Sequence, residues 1–222
     1  MLLAALLLLS EAPAPGNERL VHVPRGAPAV VDGRVDEAEW KGSAVQPLPD
    51  GAVLRLRHDG QHVFLGITSP RPGFASVCIA SGDTVRVYHA SAALGSVAYT
   101  RGSTEWTTSE TEFSYGMRTR TLDDKARAER SAFLAQHGWL ASTFHMGGGR
   151  AQEILFSRAA IPAASSLALA FFVLADDAGS VLRWPAGAAA ADGCWNEKLV
   201  QGDVPPRLHF MPQGWSRLEM DR

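Results

Sequence analysis

Between positions 53 and 67 apolar and polar residues alternate. Leu54 and Leu56 interleave with Arg55 and Arg57, and Val63, Leu65 and Ile67 recur at every second residue. Successive side chains on a strand point to opposite faces, so each run predicts a strand with one buried side. Asp59-Gly60-Gln61 supplies the tip of a hairpin between them. Similar runs predict strands at 74–80, 84–89, 96–100, 140–145, 152–157, 167–175, 181–184 and 207–211. Residues 167–174 read Leu-Ala-Leu-Ala-Phe-Phe-Val-Leu without polar alternation, which predicts a strand covered on both faces.

One segment follows a different period. Residues 121–138 carry a capping residue, acids in the first turn and a closing glycine, which predicts a helix over 122–137. Ala126, Arg130, Phe133 and Leu134 share one side of it, a narrow stripe suited to a sheet edge. Short strands with frequent turn signals and a single helix indicate an all-β protein, an antiparallel β-sandwich of jelly-roll type with one inserted helix. No second compositional regime is present, so residues 15–222 read as a single domain.

The chain has 222 residues, 46% of them hydrophobic and 20% charged, enough to bury a sizeable core without staples. Its 21 basic and 23 acidic side chains are intermixed, and this charge pattern carries no nucleic-acid footprint. Residues 1–9 form an apolar run too short to cross a bilayer. With Ala12-Pro13-Ala14 after it, the run reads as a signal peptide over 1–14, although it lacks a leading Lys or Arg; the other reading is a buried N-terminal segment. Export would place the protein in the periplasm or outside the cell. Cys78 and Cys194 form an even pair, which permits one disulfide, while Cys78 in its apolar strand also reads as a small core residue.

Common catalytic signatures are missing: there is no G-x-S-x-G, H-E-x-x-H, C-x-x-C or phosphate-binding loop, and the expectation is a protein that is not an enzyme. Gly147-Gly148-Gly149 lies between predicted strands and reads as a turn, as does Asp176-Asp177. Aromatic residues offer the best route to a ligand, since an indole on a loop is a platform for the C–H face of a sugar. Trp40 and Trp184 read as core anchors and Trp215 as a cap on one end of the sandwich. Trp195 differs, standing in the polar loop Asp192-Gly193-Cys194-Trp195-Asn196-Glu197.

Residues 31–40 read Val-Asp-Gly-Arg-Val-Asp-Glu-Ala-Glu-Trp, and the hairpin at 53–67 follows. Together they resemble the opening of family 9 carbohydrate-binding modules and the wider DOMON-like β-sandwich group. The resemblance implies a non-catalytic module that binds an oligo- or polysaccharide, in the setting of polysaccharide catabolism, with a structural calcium as a possible addition and no other cofactor. It matches Glu153 to the acid of a "v-E-x-x-I-P" stretch, here running to Ile161-Pro162, where pairing with an arginine is the expected role. It also matches Trp195 to one wall of a sugar clamp. At the opposite wall the family's Trp and Glu are replaced by Ala80 and Arg86. Trp106 or Trp139 would then have to supply the second wall, with Asn196 and Arg86 as polar neighbours. The alternative is a structural or interaction domain of the cell envelope, with envelope proteins as partners, that kept the sandwich and lost the clamp. A third reading is a b-type haem domain, since some DOMON-like members hold haem between His and Met; His145 or Met146 would then need Met117 or His89 as a partner.

Overall fold

The computed structural model describes residues 19–91, 94–114, 123–142, 149–162, 164–174, 180–201 and 203–221. The expected signal peptide at 1–14, the Gly147-Gly148 and Asp176-Asp177 turns, and His145, Met146 and Met117 lie outside the described residues.

The strands are β1 (Arg19–Val23), β2 (Ala44–Pro47), β3 (Val53–His58), β4 (His62–Ser81), β5 (Thr84–Ala90), β6 (Leu94–Arg101) and β7 (Trp106–Ser114). Helix α1 (Asp124–His137) follows, then β8 (Trp139–Ala141), β9 (Gly149–Ser157), β10 (Ser166–Val173) and β11 (Ser180–Trp184). A short helix α2 (Glu197–Gln201), β12 (Arg207–Leu208) and β13 (Ser216–Met220) complete the order. The result is a mostly β protein, consistent with an all-β sandwich carrying one substantial helix.

Strand β4 belongs to both leaves. Its first part, His62–Thr68, pairs with β3 and β9, and its second, Gly73–Ser81, pairs with β10 and β5. The change falls across Pro70 and Pro72, which have no N–H to give to a ladder. One leaf therefore runs β2-β3-β4-β9-β8, and the other runs β1-β13-β10-β4-β5-β6-β7-β12 with β11 beside β10. Leu54, Leu56, Leu65, Ile67, Ile154 and Phe156 from the first leaf meet Val77, Ile79, Tyr88, Leu167, Leu169 and Phe171 from the second in the main core. The hairpin appears at its expected place, with Asp59 accepting the N–H groups of Gln61 and His62 and Gly60 at φ 102°.

Both outer faces are covered as well. On the first leaf, Trp40 lies over Gly66 so closely that a Cβ there would stand 2.8 Å from its ring. Arg57 stacks on the same indole, 4.9 Å from the ring centroid, and donates to the Glu39 carbonyl. Glu153, the ladder partner of Gly66, is buried beneath this cover. One of its oxygens accepts the N–H groups of Asp32 and Gly33 at 2.8 and 2.9 Å, and the other accepts the Trp40 indole N–H at 3.2 Å. Gly33 takes a positive φ of 86°, which turns two successive N–H groups toward one acceptor. The expected arginine partner is replaced by these donors. Arg57 and Arg130 feel the Glu153 carboxyl through space, because their own hydrogen bonds go to the carbonyls of Glu39 and Val31. Burial pushes the Glu153 carboxyl up to about 7 against the pull of its three donors.

Helix α1 starts from Asp123, whose side chain accepts the Ala126 N–H at 2.8 Å, and closes on Gly138 at φ 72°. The positions at 121–122 lie outside the described residues, so the observed helix begins two residues later than expected. Ala126, Arg130 and Phe133 are its buried side, as the stripe predicts, and Phe133 packs edge-on to Trp139.

Two expectations need correction. The sheet is not wholly antiparallel, because β1 runs parallel to β13, pairing the first described strand with the last. Trp215 covers the outer face of the second leaf instead of capping an end of the sandwich.

Candidate functional site

After β11 the chain crosses the outer face of the second leaf. That face presents Cys78, Ala80, Val85, Val87, Val97, Tyr99, Ala168 and Phe172, an apolar surface that water would otherwise wet. Trp195, Leu199, Leu208, Phe210 and Trp215 cover it and make a second core. This layer is the reason β10 is buried on both sides.

Asp192 holds the covering segment together. It is buried, with one carboxylate oxygen accepting the Cys194 N–H at 2.8 Å and the other accepting Met211 N–H at 2.9 Å and the Trp215 indole N–H at 2.7 Å. Burial raises its pKa, and these three donors oppose the rise. Gly193 donates to the His209 carbonyl at 2.7 Å, where a Cβ would meet that oxygen at 3.0 Å. A disulfide from Cys194 to Cys78 of β4 fixes the segment to the sheet across 116 residues of sequence. Its Cα–Cα distance of 6.2 Å lies in the normal range, and the core-residue reading of Cys78 holds too, since both cysteines are fully buried.

A cleft of about 380 Å³ opens beside this segment. The chain at 190–193 forms part of it, Trp195 and Leu208 give it an apolar wall, and Glu105, Arg183, Asn196, Arg207 and His209 ring it with polar groups. The volume falls within the range of about 300–1,000 Å³ usual for small-ligand sites. Arg207 stands 3.6 Å from the Glu105 carboxylate, and both are largely exposed, so that pair is loose. The Asn196 side-chain oxygen accepts the Lys198 N–H at 3.1 Å.

The five residues expected to form a sugar clamp do not assemble as one. Trp195 lines the cleft, but its ring is only 5% exposed and its N–H donates to the Ala189 carbonyl at 2.9 Å. It is a wall edge and a core residue, not an open stacking platform. Trp106 is 5% exposed and packs edge-on to Phe210 inside the second core. Trp139, 2% exposed, belongs to the main core between Tyr88 and Phe133, on the other side of the leaf. Arg86 is bound to Glu110 at 2.6 Å on the face of β5 opposite Val85 and Val87. Only Trp195 and Asn196 reach the cleft.

Glu105, Arg183, Arg207 and His209 were not singled out from the sequence. The available signal was Arg183 as the one cation in the run 181–184, and Arg207 and His209 alternating with Leu208 and Phe210. His89, considered as a haem ligand, is buried with Nδ1 on Ser76 and Nε2 on Ser91, so neither ring nitrogen is open to iron. Among the described residues no group of three or more His, Cys, Asp or Glu side chains is placed to hold a metal ion, and no helix is long and apolar enough to cross a membrane.

Compared with protein-family models, curated proteins and solved structures, the chain matches none.

Proposed function

We propose that this chain is a non-catalytic carbohydrate-binding domain, exported to an oxidising compartment, that holds a saccharide by hydrogen bonds in the cleft beside Trp195. The observation that carries the reading is the mixed lining of that cleft. Trp195 and Leu208 offer an apolar wall to sugar C–H groups, while Arg183, Asn196, Arg207 and Glu105 offer planar donors and acceptors to hydroxyls. The buried Cys78–Cys194 bridge supports export, since structural disulfides persist where the medium is oxidising. The resemblance of residues 31–67 to family 9 modules supports the same class, with the contact made by polar side chains instead of two open indoles.

A glycan array with the purified chain tests this, followed by Arg207→Ala and Asn196→Ala. Both side chains lie at the cleft rim, so binding should weaken severalfold while the melting temperature holds. Glycan binding that ignores both changes would remove the cleft from the proposal.

One observation favours the interaction-domain alternative. Trp106 and Trp139 are built into the cores and Arg86 is tied to Glu110, so the clamp positions serve the fold. Failure of every glycan to bind would leave that reading in place.

A further inference from the structure

We infer that the saccharide held in this cleft carries a carboxylate, as a uronic acid does, and that Arg183 is the residue that receives it. This rests on the reading of the cleft as a sugar site and adds its chemical class. The charged lining carries two cations and two acids, but neither acid is bonded to Arg183. Arg183 and Arg207 are cations, and His209 adds ring donors or acceptors. Of the two acids, Glu105 lies 3.6 Å from Arg207, and Asp192 has both oxygens engaged by Cys194, Met211 and Trp215. That leaves Arg183, half-buried on β11 next to Ala170 of β10, without a hydrogen-bond or ion-pair partner among the described residues.

A half-buried guanidinium with no internal acceptor is a site for an external one. Its planar fork matches a carboxylate bidentately, and charge-assisted bonds of that kind are about twice as strong as neutral ones. A neutral sugar would engage the hydroxyl-binding groups and offer the Arg183 guanidinium only uncharged acceptors. A bare inorganic anion would satisfy Arg183 and leave the Trp195–Leu208 wall wet. A uronic acid answers both, with a carboxylate for the arginine and C–H groups for the narrow apolar edge of Trp195 and Leu208.

The test is calorimetric titration of the full chain with digalacturonate, its methyl diester and neutral digalactose. The acid should bind about tenfold or more tightly than the diester, and the gap should narrow with salt. Arg183→Met should abolish the gap, with the acid losing far more affinity than the diester. Arg183→Gln, which keeps a polar side chain, serves if the methionine variant melts early. Equal affinity for acid and diester, or a gap that survives both Arg183 variants, overturns the inference while leaving a cleft that binds neutral sugar through Arg207 and Asn196. Competition by sulfate alone at the level of digalacturonate overturns it in favour of a simple anion site. Binding of none of the three sugars overturns the inference, and the glycan array then decides separately whether the sugar reading stands.

Discussion

Glu153 accepts the indole N–H of Trp40 at 3.2 Å, a contact between residues 113 apart that ties the cover of the first leaf to its central strand pair. The same carboxylate takes the N–H groups of Asp32 and Gly33, so an acid on β9 organises the whole run from Val31 to Trp40. Asp192 and Trp215 repeat the device on the second leaf at 2.7 Å. In each case a buried carboxylate gathers three donors that would otherwise be dehydrated without partners.

Glu153→Gln keeps the shape and reverses the chemistry at one oxygen. An amide NH₂ must then face either the two main-chain donors or the indole. The expected loss is about 1–3 kcal/mol, the penalty for an unsatisfied buried group, measured by urea unfolding at fixed pH. A loss under about 0.5 kcal/mol would show that the carboxylate is not the anchor.

Trp40→Ala should cost about 3–5 kcal/mol, since it removes a buried aromatic and one of Glu153's donors together. Gly66→Ala approaches the same contact from below. With 2.8 Å between the added Cβ and the ring, the indole must move, and about 1–3 kcal/mol should be lost. If the alanine at 66 is neutral, the close approach of the ring to the sheet is wrong.

The Cys78–Cys194 bridge closes a loop of 116 residues in sequence, and the double change to serine should lower stability by about 2–5 kcal/mol. Alkylation of the unreduced, denatured protein should find no free thiol. Quantitative labelling of both cysteines would refute the pairing.

Two buried groups should pull the pH dependence of stability in opposite directions. Burial pushes His89 down to about 4 from 6.5, so its contribution is complete above 6.5 and is lost as pH falls through 4. Glu153, raised to about 7 from 4.5, contributes fully below 4.5 and loses that contribution as pH rises through 7. Each shift corresponds to something on the order of 3 kcal/mol over its full window, and between 4.5 and 6.5 the two slopes oppose. Relative to the parent protein, His89→Gln should therefore gain stability on acidification from pH 7 to 5, and Glu153→Gln should lose it. Urea titrations of the three proteins at both pH values decide the matter, and identical pH slopes would contradict it.

Local pattern determined the elements of this protein. Alternation at Leu54–Leu56 and Val63–Ile67 specifies a half-buried hairpin, Asp59-Gly60 its tip, and the acids after Asp123 with Gly138 the limits of the helix, because each depends on neighbours within a few residues. The unbroken apolar run at 167–174 likewise required two covers. What covers it was not written locally. Cys194-Trp195 sits among polar and small residues and reads as an exposed loop. It becomes core because the segment folds onto the face presented by β4, β5 and β10, far away in sequence, where burial of an apolar surface outweighs the loop's local polarity. The parallel pairing of β1 with β13 and the meeting of Arg183, Arg207 and Glu105 around one cleft arise in the same way. Residue type and spacing decided where the chain turns, and only tertiary packing decided that all six indoles are buried and that Arg183 lines the cleft.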